Sequence, residues 1–125
     1  MTALGAAKEH LAKAREFLEA AELSHDLDLY NAATSNAVIS GINSKDAICL
    51  TVTGRSEKND NHNQAIGELK TSGRVGAGLA TTFSRLLKLK PKAQYQSESM
   101  SATDAAKAVD WAAKMFEGAR GVVRD

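Results

Sequence analysis

Arg55 and His62 stand with six residues between them in the segment GRSEKNDNHNQ, residues 54–64. A histidine titrates near neutrality, so it can move a proton at a ribose 2′-hydroxyl or at a leaving oxygen without a metal. An arginine beside it can hold a phosphate in its planar fork and neutralise charge that develops in the transition state. The pair is chemically sufficient as half of a metal-independent ribonuclease site. It equally fits a polar connection between two helices, because an Arg-x6-His spacing arises readily by chance.

Asp46 is the second candidate. It lies in the run SKDAICL, where apolar neighbours bring a carboxylate close to burial. A buried carboxylate must find a counter-charge or hydrogen bonds, because an unpaired one is strongly destabilising. Asp46 therefore reads as a catalytic or ligand-orienting group, as a tie between helices through Arg or His, or as a solvent-facing residue. The third candidate is a patch of charge. Residues 1–28 carry six acids against three bases, whereas no acid lies between Glu68 and Glu98, where Lys70, Arg74, Arg85, Lys88, Lys90 and Lys92 supply six positive charges. Lys88, Lys90 and Lys92 are candidate contacts for phosphate. Cations are also favoured at a helix C-terminus by the macrodipole alone.

Other chemistries find less support. His10, His25 and His62 fall on different elements, Cys49 is the sole cysteine, and neither HExxH nor CxxC occurs, so no metal site is expected. SGRVGAG (72–78) has glycines but no phosphate-loop lysine and no preceding strand. Those glycines read as the stop of one helix and the close packing of the next. No cofactor is implied.

These residues must be positioned by helices. Leu4, Ala7, Leu11, Ala14, Leu18 and Ala21 recur at steps of three and four and predict an amphipathic first helix, ended by Ser24-His25-Asp26. Asp26 or Asp28 can cap the second. From Leu27 to Val52 a helix of roughly 40 Å is expected. Ala33, Ala37, Gly41, Ser44 and Ile48 give it one face of small residues that admits a close neighbour. Thr51-Val52-Thr53 is taken as the end of this helix rather than a strand, with Gly54 at the left-handed stop. Asn59–Asn61 offer caps for a short third helix through Ala65, Ile66 and Leu69, which Ser72-Gly73 ends. A fourth carries Val75, Leu79, Phe83, Leu86 and Leu87 and stops at Pro91. Ser101–Asp104 resembles a capping box, and Ala105, Val109, Ala112, Phe116 and Ala119 carry the last helix. The expectation is an all-α, up-and-down bundle of about four to five antiparallel helices, with residues 1–125 as one domain.

A single thiol excludes an intrachain disulfide and suits a reducing compartment. No stretch approaches the roughly 20 apolar residues of a membrane helix. The N-terminus lacks the apolar run of a signal peptide, so a cytoplasmic protein is expected.

The pattern resembles the HEPN family (higher eukaryote and prokaryote nucleotide-binding) over nearly the whole chain. The likeness is carried by the amphipathic first helix and by Tyr30-Asn-Ala-Ala-Thr-Ser-Asn-Ala-Val-Ile-Ser-Gly-Ile-Asn-Ser-Lys-Asp-Ala-Ile-Cys49, similar to the family's second helix. The polar loop closed by His62 and the turn Lys92-Ala-Gln-Tyr95 continue it. The resemblance implies a helical bundle, often homodimeric, in toxin–antitoxin, CRISPR-type or other defence systems. It also implies, for some members, a small nucleotidyltransferase-type partner protein and, for others, metal-independent ribonuclease activity through an Arg-x4–6-His motif, which Arg55 and His62 match at its upper limit. Two features differ from the active pattern. Ser56 follows the arginine where Asn, Asp or His is frequent, and the pair precedes the third helix rather than lying near the later ones. Three readings stay open: a nucleic-acid- or nucleotide-associated interaction module, an endoribonuclease toxin using Arg55 and His62, and a purely structural homo-oligomer.

Overall fold

The computed structural model describes residues 1–57 and 61–124. Of the expected caps, Asn59 and Asp60 lie outside the described residues. The rest form α1 (Ala3–Asp26), α2 (Tyr30–Thr53), α3 (His62–Lys70), α4 (Gly73–Leu87), α5 (Lys90–Gln94) and α6 (Ala102–Val123). With α5 only five residues long, the fold is the expected all-α bundle, and the described residues contain no strand.

Local chemistry accounts for most boundaries. Thr2 caps α1 by accepting from Gly5 N–H at 2.9 Å, Asn61 caps α3 by accepting from Gln64 N–H at 3.0 Å, and Ser101 caps α6 by accepting from Asp104 N–H at 3.0 Å. At the end of α2 the two threonines are helical, and each hydroxyl is satisfied by donating to the carbonyl four residues back. Thr51 reaches Ala47 O and Thr53 reaches Cys49 O, both at 2.8 Å. Gly54 then takes φ 77° and closes the helix with its N–H on Leu50 O.

Four expectations are corrected. His10 and His25 share α1 rather than lying on different elements, and α4 ends at Leu87, so Pro91 falls in the first turn of α5 instead of stopping α4. Neither Asp26 nor Asp28 caps α2: Leu29 occupies the cap position, and Asp28, at φ 61°, accepts from the Tyr30 hydroxyl instead. Leu4 is 49% exposed, so the apolar stripe of α1 begins at Ala7, one turn later than the periodicity suggests.

The long helices alternate in direction. Ser40 on α2 donates to Ala14 O on α1 at 2.7 Å, and His10 lies beside Asn43, so α1 and α2 run antiparallel. Gly73 backs onto Val52 while Gly41 faces Leu86, so α4 returns along α2. The N–H of Met100 donates to Asn31 at the start of α2, and Gly118 faces Val75 and Leu79 of α4, which runs α6 antiparallel to α4. One apolar core results, including Leu11, Leu18, Val38, Ile48, Leu69, Phe83, Leu86, Leu87, Met115 and Phe116. Its close approaches depend on small residues. Ala33, Ala37, Gly41, Ser44 and Ile48 are all buried, as the expected small-residue face requires.

Gly76 and Gly78 separate packing from propensity. A Cβ at Gly76 would overlap the Leu69 carbonyl, a backbone group that cannot rotate away, whereas a Cβ at Gly78 meets nothing. Gly76→Ala is expected to lower unfolding free energy by about 1–3 kcal/mol through overpacking. Gly78→Ala is expected to raise it by about 0.5–1 kcal/mol through helix propensity. Urea denaturation of the two variants checks the opposite signs.

Candidate functional site

The junction of α2, α3 and the segment after Gly54 is built around Lys45. Its side chain is 2% exposed, and its ammonium would be strongly destabilising if unpaired. It donates to Glu68 Oε1, to Ser56 Oγ at 2.9 Å, and more distantly, at 3.4 Å, to Asp46 Oδ1 and the Glu57 carbonyl. The carboxylates use their remaining lone pairs on the same segment. Ser56 donates to Asp46 Oδ1 at 2.5 Å, and Glu57 N–H donates to Glu68 Oε2 at 2.9 Å. On the other side His10 of α1 places Nδ1 2.7 Å from Asn43 Oδ1 and 3.8 Å from Asp46 Oδ2. Three helices and residues 56–57 thus meet in one polar network.

Burial opposes the Lys45 charge, but the Glu68 hydrogen bond and the carboxylates of Asp46 and Glu68 outweigh it, holding the ammonium above lysine's ordinary range. Beneath it, Cys49 is fully buried with Sγ 3.2 Å from Ser72 Oγ, and Ser72 donates to Glu68 O at 2.8 Å. Burial pushes the Cys49 thiol up, so it stays neutral at neutral pH.

The expected site residues fall into separate places. Asp46 is buried and ties helices together, and the histidine beside it is His10, not His62. Arg55 is exposed, with its N–H and carbonyl both bonded to Thr53 Oγ1, and its guanidinium has no ion pair among the described residues. His62 is half-buried at the first position of α3. Among the described residues no hydrogen bond joins Arg55 to His62, and the network holds only Ser56 and Glu57, which follow Arg55. Lys88 is exposed and Lys90 and Lys92 are half-buried at the α4–α5 corner. That corner lies past Leu86, which faces Gly41, about 20 Å along the α2 axis from Gly54. Among the described residues no hydrogen bond or ion pair joins Lys88, Lys90 or Lys92 to Asp46.

Lys45, Glu68, Ser56 and His10 were not legible as a site. Lys45 beside Asp46 reads as an ordinary solvated pair, and Glu68 is 23 residues away. The available signal was that the small-residue face of α2 runs through Ser44 and Ile48 on either side of this pair, leaving a charge there little room to reach water.

An antiparallel bundle of four long helices, with a buried ammonium–carboxylate network pinning the connection before a short α3, defines a small helical-bundle domain. The family model for the HEPN domain matches residues 7–122, and the chain belongs to that family. Membership makes it a nucleotide- or RNA-related module in general. No curated protein matches the chain. Among the described residues no group of three or more His, Cys, Asp or Glu could hold a metal ion, and no helix is long and apolar enough to cross a membrane.

Removing the ammonium leaves two carboxylates facing each other without a counter-charge. Lys45→Met is expected to lower unfolding free energy by about 3–5 kcal/mol. The pH dependence has a defined sign. Both Lys45 and Cys49 have folded-state pKa values raised above their ordinary 10.5 and 9.0, so each contribution is whole below those values and is lost as pH rises through the folded-state pKa. Urea unfolding of the wild type is expected to show this loss on the alkaline side, and Lys45→Met is expected to remove the Lys45 part of it while the Cys49 part remains.

Proposed function

We propose that the chain is a cytoplasmic, RNA- or nucleotide-associated interaction module of a toxin–antitoxin or defence system. In this reading Lys88, Lys90 and Lys92 contact phosphate, and the module works as a homodimer beside a partner protein of the nucleotidyltransferase type. One observation carries the reading. Lys70, Arg74, Arg85, Lys88, Lys90 and Lys92 make no ion pair among the described residues, whereas Lys45, Lys114 and Arg120 each pair with a carboxylate. Six unneutralised cations in an acid-free stretch, within a family tied to nucleotides and RNA, favour a polyanion. The test is fluorescence anisotropy with labelled single-stranded RNA over a salt series. The wild type is expected to bind, with affinity falling as salt rises. Lys88→Gln/Lys90→Gln/Lys92→Gln is expected to weaken binding and reduce the salt slope by about 2, roughly 0.7 per lost phosphate contact on a single strand. Salt-independent binding, or none, contradicts the reading.

A second reading has its own support in the pinned junction. Lys45 and Glu68 fix the backbone immediately after the exposed Arg55, and His62 opens α3, the helix that carries Glu68. An Arg–His half-site needs that fixed presentation, because catalytic groups must be held in place before the reaction. It predicts RNA cleavage that persists in EDTA and is abolished by His62→Ala with the fold retained by circular dichroism. Intact RNA after incubation with wild type excludes it for the substrates tried.

A further inference from the structure

The two candidate regions stand at opposite ends of α4, and the surface between them has a consistent character. α4 is held by Gly76 against Leu69 of α3, by Val75 and Leu79 against Gly118 of α6, and by Leu86 over Gly41 of α2. Phe83 and Leu87 enter the core. This packing determines which residues face outward: Arg74, Ala77, Gly78, Thr81, Arg85 and Lys88 are all exposed. Their steps of three and four place them on one stripe, and the eleven residues from Arg74 to Arg85 make about three turns, so the two guanidinium groups lie in phase. No acid interrupts the stripe, and none of its three cations has an ion pair among the described residues.

We infer that this outer face of α4 is a track for the phosphate backbone of single-stranded RNA, running from the α4–α5 corner to the end of α2 that precedes Arg55. The track rests on the reading of the chain as an RNA-associated module, and it extends that reading to residues outside the corner. From Arg74 to Lys88 the stripe is about 21 Å long. Its first end lies beside Val52, against which Gly73 packs, three residues before Arg55. Its other end leads directly into Lys90 and Lys92. Between the cations the side chains are short: Ala77, Gly78 and Thr81 leave the helix surface low, and nothing approaches the Gly78 Cα within contact of an added Cβ. A backbone can therefore lie close to the helix while arginines at both ends hold phosphate or stack on unpaired bases. Contacts to phosphate carry no sequence information, so backbone binding along the stripe is independent of sequence. Stacking on a guanidinium plane needs unpaired bases, which favours a single strand over a duplex.

The test compares full-length wild type with Arg74→Gln/Arg85→Gln, Lys88→Gln/Lys90→Gln/Lys92→Gln and, as a control on exposed α1 surface, Lys8→Gln. Labelled single-stranded RNA, the same sequence as a duplex, and a polyglutamate peptide serve as probes. Wild type and Lys8→Gln are expected to bind the single strand equally. The arginine variant is expected to lose affinity, with its salt slope shallower by about 1.4, two contacts at roughly 0.7 each. If wild type binds no RNA, both the module reading and the track fall. If the lysine variant weakens binding while the arginine variant matches wild type, the track alone falls. Tighter binding of the duplex, or equal binding of polyglutamate, also overturns it, because a single-stranded phosphate backbone would then not be the preferred occupant.

Discussion

The ammonium of Lys45 cannot be buried alone, and much of the local architecture follows from that requirement. It needs carboxylates, and these come from Asp46 on the same helix and Glu68 on α3. The carboxylates in turn need donors beyond the single lysine, and Ser56 and the Glu57 N–H supply them. Each group satisfies another's unmet bond, so the segment after Gly54 is fixed against α3 by an electrostatic necessity rather than by apolar packing. Such networks add little net stability compared with an apolar core of the same shape, but breaking one partner is costly. Here the network specifies geometry.

The rest of the bundle depends on the absence of side chains. Gly41, Gly76 and Gly118 each stand where a neighbour occupies the space a Cβ would fill, so α4 reaches α2, α3 and α6 together. That threefold contact leaves one exposed stripe on α4 and determines its chemistry. Packing inside the bundle thus selects which cations meet solvent. Exposed surface and core are two consequences of one helix register.

The fold was legible because its signals are local. The period of α1, the small-residue face of α2 and the Gly54 stop all lie within a few residues of what they determine. The misreadings were local as well: Asp28 turned to Tyr30 instead of capping, and Leu4 extended past the end of the core. The site was legible only in part. Asp46 could be singled out because its neighbours forecast burial, but its partners could not, since His10 and Glu68 reach it and Lys45 from 36 residues upstream and 23 downstream. Charge asymmetry along residues 69–97 was visible, whereas the alignment of Arg74 with Arg85 matters only once the packing of α4 is known.

The proposed RNA track joins the basic corner to the end of α2, beside Arg55, through the exposed face of α4. A titration of isotope-labelled protein with single-stranded RNA, followed by amide chemical shifts, tests that connection most directly. It predicts shifts at Arg74, Ala77, Gly78, Thr81, Arg85 and Lys88 together with residues near Arg55, while Lys8 and Lys13 on α1 stay unmoved. Shifts confined to α1, or an RNA-bound spectrum with α4 unchanged, would contradict it.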